Sequence, residues 1–277
     1  MNIIVSAFVS NVNKNDKSIQ TYIDLGHNLL LEQINNLKIV FIERHIYNSY
    51  FNVGTIYTSF KYENKQLDFV IDKNIIFVFF EKTDNYLYNY TNLITHFNIN
   101  TDNPGKDTLE YMFIQCHKTE WVKIAINLIT HIKHEKIVLT LTNNLHFIWV
   151  DFGIYHTFNN NTELFLKSFE HLSLVNKSNS NNNKVRIASC INPENTYHSD
   201  IYKNIAWYFA GGVFGGSPET LLKFAELMKT ECLNVIQERK HLMWEVNIWY
   251  LIYKKHPELF DSYLCNHNPT IIMNYNQ

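Results

Sequence analysis

Short apolar runs and longer segments of helical period take turns along the first half of the chain. Ile3 to Ser10 is rich in β-branched and aromatic residues and reads as a buried strand. After the polar stretch Asn11 to Lys17, apolar Ile19, Ile23, Leu30, Leu31 and Ile34 recur at helical spacing, with Asp16 or Ser18 as cap. Lys38 to Glu43 is a second buried strand. This β-α-β order predicts a parallel sheet with a right-handed crossover. Residues 47 to 73 alternate weakly and predict a loop with short edge strands. Asn74 to Phe80 reads as a strand, and Glu81 to Asn100 as holding a short helix.

From Thr108 to Ile132 the period is helical, with a break near His117. Lys136 to Thr140 and Leu145 to Val150 predict strands, Leu164 to Leu172 a helix, and the Ser/Asn-rich stretch 175–184 an exposed loop. Val185 to Ile191 and Trp207 to Phe214 predict further strands. Ser217 and Pro218 have the residue types of an N-cap and a first helical position, opening a helical pattern that continues with interruptions to Lys255. His256-Pro257 ends it, and Ile271 to Met273 predicts a last strand. The expected architecture is therefore α/β, a mostly parallel central sheet flanked by helices, in a single domain over 1–277.

Composition supports this reading and removes some alternatives. With 46% hydrophobic and 18% charged residues, the chain can build a substantial core. A net charge of -2 and the lack of any basic block argue against a nucleic-acid partner. The 4 Cys form no CxxC pair, which argues against a zinc cluster and suits reduced thiols. The start Met1-Asn2-Ile3-Ile4-Val5 lacks signal-peptide features and no apolar run is of membrane-spanning length, so a cytoplasmic setting is expected.

Three segments carry candidate chemistry. In the first, the apolar strand His146 to Val150 runs into Asp151-Phe152-Gly153. Ligands of open α/β sheets bind outside the carboxyl ends of strands, and an acid there can hold a divalent cation and, through it, a diphosphate. The equally simple reading is an Asp capping a turn. The second, Ala210 to Ser217, contains Gly211, Gly212, Gly215 and Gly216. Glycine permits positive φ and close approach of a ligand, and amides at Gly216 and Ser217 would open the following helix toward a hydroxyl or phosphate. The third is Trp244-Glu245-Val246-Asn247, where an acid in an apolar helix is either an acceptor-hydroxyl ligand or base, or a partner of Arg239 or Lys240. Lys118 is a candidate phosphate neutraliser, and His156 and His267 are candidate metal ligands.

Taken together, these segments resemble the HtrL/YibB family of glycosyltransferase-like proteins over nearly the whole chain, from Ile3 to Tyr275. The matching parts are Ile4 to Phe8; Lys106-Asp107-Thr108 with Tyr111; Lys118 with Trp121; Trp149 to Ile154; Ala210 to Gly216; Glu245; and Asn274-Tyr275. The resemblance implies a GT-A-like nucleotide-diphospho-sugar transferase fold, with a nucleotide-sugar-binding half over about 1–155 and an acceptor-binding half over about 156–277. It implies transfer of a sugar from a nucleotide diphosphate sugar, with a UDP-sugar as expected donor, to a glycan or protein acceptor, assisted by Mn²⁺ or Mg²⁺. Asp151 would start the Asp-x-Asp motif, with Gly153 at the place of the second acid and His156 or His267 completing the metal shell. Lys118, Gly153 and the glycines at 211, 212, 215 and 216 would shape the donor site, and Glu245 would be the catalytic acid of the acceptor half. The alternatives are a sugar nucleotidyltransferase and a catalytically inactive glycan-binding protein of the same fold.

Overall fold

The computed structural model describes residues 1–10, 18–52, 56–97, 106–134, 145–173, 183–191 and 200–276. The predicted strand at Lys136 to Thr140 and nearly all of the Ser/Asn-rich loop lie outside them. The protein is α/β, a nine-stranded mixed sheet with helices on both faces.

Its centre is β1 (Asn2–Phe8), with β2 (Leu37–Ile42) and β6 (His146–Val150) parallel to it on either side. Beyond β2 come β5 (Ile75–Phe79), β4 (Lys65–Asp72) and β3 (Ile56–Tyr62). Beyond β6 come β8 (Phe209–Gly216), β7 (Val185–Ser189) and β9 (Phe260–Leu264). The sheet is not mostly parallel in its pairing: four of its eight neighbouring pairs are antiparallel. The cause is local. β3 and β4 form a hairpin with β5, and β8 runs against both its neighbours, so β4 and β8 oppose the other strands.

Alternate residues of the central strands feed two cores. Ile3, Val5, Phe41, Phe147 and Trp149 face a layer that contains α4 (Lys118–His134), α6 (Pro218–Arg239) and α7 (Glu245–Lys255). Ile4, Val40, Ile42, Ile148 and Val150 face α1 (Ile19–Leu29), α2 (Arg44–Tyr50), α5 (Thr162–Ser173) and α8 (Thr270–Met273). Strands buried on both faces read as continuous apolar runs, which is why β1, β2, β5 and β6 stand out in the sequence.

Helix ends follow the local chemistry. Ser18 caps α1 through Thr21 N, Thr108 caps α3 (Leu109–Cys116) through Tyr111 N, and Ser217 caps α6 through Thr220 N with Pro218 in the first turn. The break expected near His117 is real, with His117 lying between α3 and α4. Other elements differ. Residues 47–73 hold the end of α2 and the β3–β4 hairpin, so the expected edge strands are present, with β3 at the edge of the sheet, but they are seven and eight residues long. The short helix expected after Glu81 is of 3-10 type, at Lys82–Asp84 and Tyr86–Leu93. Ile271 to Met273 belongs to α8 and not to a strand, three residues being too few to separate the two periods. No described helix is long and apolar enough to cross a membrane.

His117 is buried against Phe80, Tyr86 and Trp121, and neither ring nitrogen has a hydrogen-bond partner among the described residues. Burial, reinforced by the charges of Lys65 and Lys229, pushes its imidazole down to about 3. In the unfolded chain it titrates near about 6.5. Between those values the unfolded state binds the extra proton, so stability falls as the pH is lowered through this window. His117→Phe is expected to reduce the slope of unfolding free energy against pH by up to about 1.4 kcal/mol per unit. Urea titrations between pH ~6 and ~4 measure it, and an unchanged slope would show that His117 is not the buried neutral group described.

Candidate functional site

The carboxyl ends of β1, β6 and β7 lie at one edge of the sheet, since these strands point the same way. Because β8 is reversed, it begins at that edge. The Asp151 amide, one residue past β6, donates to the Gly212 carbonyl at 2.9 Å, which sets Asp151 beside the start of β8. Lys118, the first residue of α4, and Glu245, the first of α7, meet it there.

Lys118 is the hub. Its Nζ lies 3.0 Å from Asp151 Oδ1 and 2.9 Å from Glu245 Oε1, and it donates to the Gly211 carbonyl at 2.9 Å. The side chains of Lys118 and Glu245 are each 3% exposed, that of Asp151 36%. Burial alone would push the ammonium down, but Asp151 and Glu245 outweigh that and hold it above the usual lysine range. Glu245 thus pairs with Lys118 and not with Arg239 or Lys240. Its Oε2 is buried without a hydrogen-bond partner among the described residues.

The second Asp151 restraint is the Trp149 indole, which donates to Oδ1 at 2.8 Å. Trp149 is itself clamped: Trp121 stacks on it at 5.7 Å with planes 5° apart, and Phe214 at 6.3 Å.

The glycines act through space rather than through turns. None of the described glycines has positive φ, correcting that expectation. A Cβ on Gly211 would collide with the Glu245 carboxylate and come within 3.3 Å of Lys118 Nζ, while one on Gly212 would press on Ile271 and Ile154 at 3.0 and 3.1 Å. Gly215 and Gly216 are a different matter. They pair with Ile148 and Phe147 at the far end of β8, away from the acid, and a Cβ on Gly215 would collide with the Tyr275 hydroxyl and the Phe147 carbonyl. Their place in the strand is structural, and the Ser217 hydroxyl is taken by its own helix. The reversal of β8 is what separates these two glycine pairs.

Above the hub is a cavity of about 280 Å³. Its walls include Phe8, Tyr22, Tyr111, Phe152, Trp207 and Trp244. Trp207 and Trp244 were not singled out individually by sequence reasoning. In the sequence Trp207 reads as the first residue of the strand, and nothing local marks its 41% exposure. Buried Asn247 positions the segment before it, accepting from Ala206 N at 2.8 Å and donating to the carbonyls of Ile201 and Asn204 at 2.6 and 2.8 Å. Trp244 is held by Asp107, whose carboxylate accepts its indole N–H at 2.8 Å. Burial raises the Asp107 carboxyl, with the Trp244 hydrogen bond opposing.

Lys106, Lys118, Asp151, Glu245, His156 and His267 also line the cavity, so its lining is formally neutral with His uncharged. The proposed metal set does not assemble. No group of three His, Cys, Asp or Glu side chains fit to hold a metal occurs among the described residues. Asp151 is engaged by Lys118 and Trp149, His156 Nδ1 donates to the Gly153 carbonyl at 2.6 Å, and His267 contacts Cys190. Of the three, Asp151 fits a cation least, since Lys118 already neutralises it and Trp149 holds its Oδ1. At Gly153 space does not forbid a side chain, since a Cβ would lie 3.5 Å from Tyr22.

Set against protein-family models, curated proteins and solved structures, the chain matches none.

Of the three cavity glycines, Gly153 and Gly211 make opposite predictions. Gly211→Ala is expected to lower stability by about 1–3 kcal/mol by forcing the Lys118–Glu245 pair apart. Gly153→Ala meets only ordinary contacts and stays within about 0.5 kcal/mol of the parent. Equal effects in denaturant titrations would contradict the steric assignment.

Proposed function

We propose that the chain transfers a hexose-type sugar from a nucleotide diphosphate sugar to a glycan or protein acceptor. One observation carries the reading. Lys118 fixes Glu245 Oε1 at the cavity and leaves Oε2 buried without a donor among the described residues. An unsatisfied buried acceptor costs about 1–3 kcal/mol, and a turn of the carboxylate that brings Oε2 to the cavity, where a ligand hydroxyl donates to it, removes that cost. A carboxylate so placed can accept the hydroxyl proton as that oxygen attacks a sugar carbon. The aromatic walls support the same reading, because apolar faces of sugars and bases stack on Trp and Tyr.

In this reading Asp151, half exposed at the strand end and oriented by Trp149, contacts the donor, and Lys118 sets the charge of both acids. Gly211 and Gly212 leave room at the pocket floor for the Glu245 carboxylate and for Ile271 and Ile154. The resemblance to the HtrL/YibB family and its GT-A-like fold belongs to this proposal. Since the described residues do not form a resident metal site, no step is routed through one.

Nucleotide release over a panel of UDP, GDP, CDP and dTDP sugars, with Mn²⁺ or with chelator, tests the proposal on wild type and Asp151→Ala. Wild type is expected to release one nucleotide, and the variant to lose about 100-fold or more of that rate. Because Lys118 keeps Glu245 as partner, the variant is expected to stay folded by circular dichroism. No affinity for any nucleotide sugar in either condition would end the idea. Glycan binding that persists unchanged in Asp151→Ala without turnover would favour a binding protein, a reading supported by the neutralisation of Asp151 by Lys118.

A further inference from the structure

A second cluster lies at the same sheet edge and takes no part in the reaction proposed above. The parallel register of β7 and β9 sets Ser189 opposite Leu264, so the next residues, Cys190 and Cys265, are neighbours just beyond the strand ends. Both backbones are pinned there, with Cys190 N donating to the Tyr208 carbonyl at 3.0 Å and Cys265 N to the Ser189 carbonyl at 2.9 Å. Adjacent strands lie about 4.8 Å apart, within the roughly 4.4–6.8 Å Cα separation that a disulfide spans. Both thiols are free, Cys190 half-buried and Cys265 buried.

Cys190 Sγ lies 3.7 Å from Nε2 of His267, which is exposed and packs edge-on against Trp207 at 4.9 Å. We infer that Cys190 is a nucleophilic thiolate and a modification site for hydroperoxides, with Cys265 as the thiol that closes a disulfide on it.

The surroundings favour the ionised sulfur. The Cys265 thiol beside it across the strand pair and the His267 imidazole at 3.7 Å both favour a negative charge on the Cys190 sulfur. Cys265 is raised by Cys190 and by burial. His267 is raised by its contact with Cys190, with burial and Lys106 opposing. The other titratable neighbour, Tyr263, is pushed well up, mainly by burial, and remains neutral. No group of three His, Cys, Asp or Glu side chains fit to hold a metal occurs here among the described residues.

The chemistry balances. The Cys190 thiolate attacks one oxygen of the hydroperoxide, forming S–O as O–O breaks, and the departing oxygen takes a proton from the His267 imidazolium or from water. Cys265 sulfur then attacks the sulfenic sulfur, S–S forms as S–O breaks, and hydroxide leaves with the Cys265 proton as water. The peroxide is reduced and two thiols are oxidised.

Cys116 and Cys232 are fully buried and serve as internal controls. Folded, reduced wild-type protein is treated with iodoacetamide at pH ~6, and labelling is followed by peptide mass mapping. Cys190 is expected to react at least about tenfold faster than Cys265 and than Cys190 in the urea-unfolded chain. His267→Asn is expected to slow it. Hydrogen peroxide with dimedone is expected to tag Cys190 in Cys265→Ser and to give a Cys190–Cys265 disulfide in wild type. Labelling of Cys190 no faster than in the unfolded chain, or no dimedone adduct, overturns the thiolate. An adduct without a wild-type disulfide overturns the part given to Cys265.

Discussion

A buried ammonium group cannot persist in a protein interior without compensation, and the arrangement around Lys118 is organised by that constraint. Its Nζ is held by two carboxylates and a carbonyl from three separate elements: the end of β6, the start of β8 and the first turn of α7. Each must approach within about 3 Å, and so each imposes a demand on its own element. β8 must have no side chain at Gly211, because that space belongs to the Glu245 carboxylate. α7 must begin at Glu245, where the positive end of the helix also favours an acid. The Asp151 carboxylate must turn toward Lys118, and the Trp149 indole, locked in its aromatic stack, turns it.

The direction of β8 decides which of the sequence's glycines take part. Had β8 run parallel to β6, its carboxyl end would carry Gly215, Gly216 and the helix N-terminus to the cavity, as the glycine-rich pattern suggests. In the antiparallel arrangement that end points away, and Ser217 caps the α6 N-terminus through Thr220 N. What reaches the cavity is the first half of the strand, where Gly211 offers a carbonyl and an absence of bulk. Glycine abundance reports that something must come close, but it does not say whether the neighbour is a ligand, a side chain or a backbone carbonyl.

This difference also marks what the sequence makes legible. Strands buried on both faces, N-caps at Ser18 and Ser217, and the break at His117 are local signals, and the structure follows them. Asp151 at a strand end is local too. The partner of Glu245 is not, for Lys118 lies 127 positions away in the chain. Sequence proximity suggested Arg239 and Lys240 instead. The β3–β4 hairpin was obscure because its alternation is weak, and α8 because it is shorter than the period that would identify it.

Both clusters follow from one property of the sheet. Strand ends of like direction bring side chains from distant parts of the chain to a common edge, where the backbone is fixed but side chains reach open space. Asp151 follows β6, Cys190 follows β7 and Cys265 follows β9, all at that edge. The two clusters remain chemically distinct, since one centres on a nearly inaccessible ammonium and the other on a half-buried sulfur with an exposed imidazole. They meet through Trp207 and His267, which line the cavity while packing edge to face on each other. A change in the charge or bonding of Cys190 therefore bears on a wall of the cavity without touching Lys118, Asp151 or Glu245.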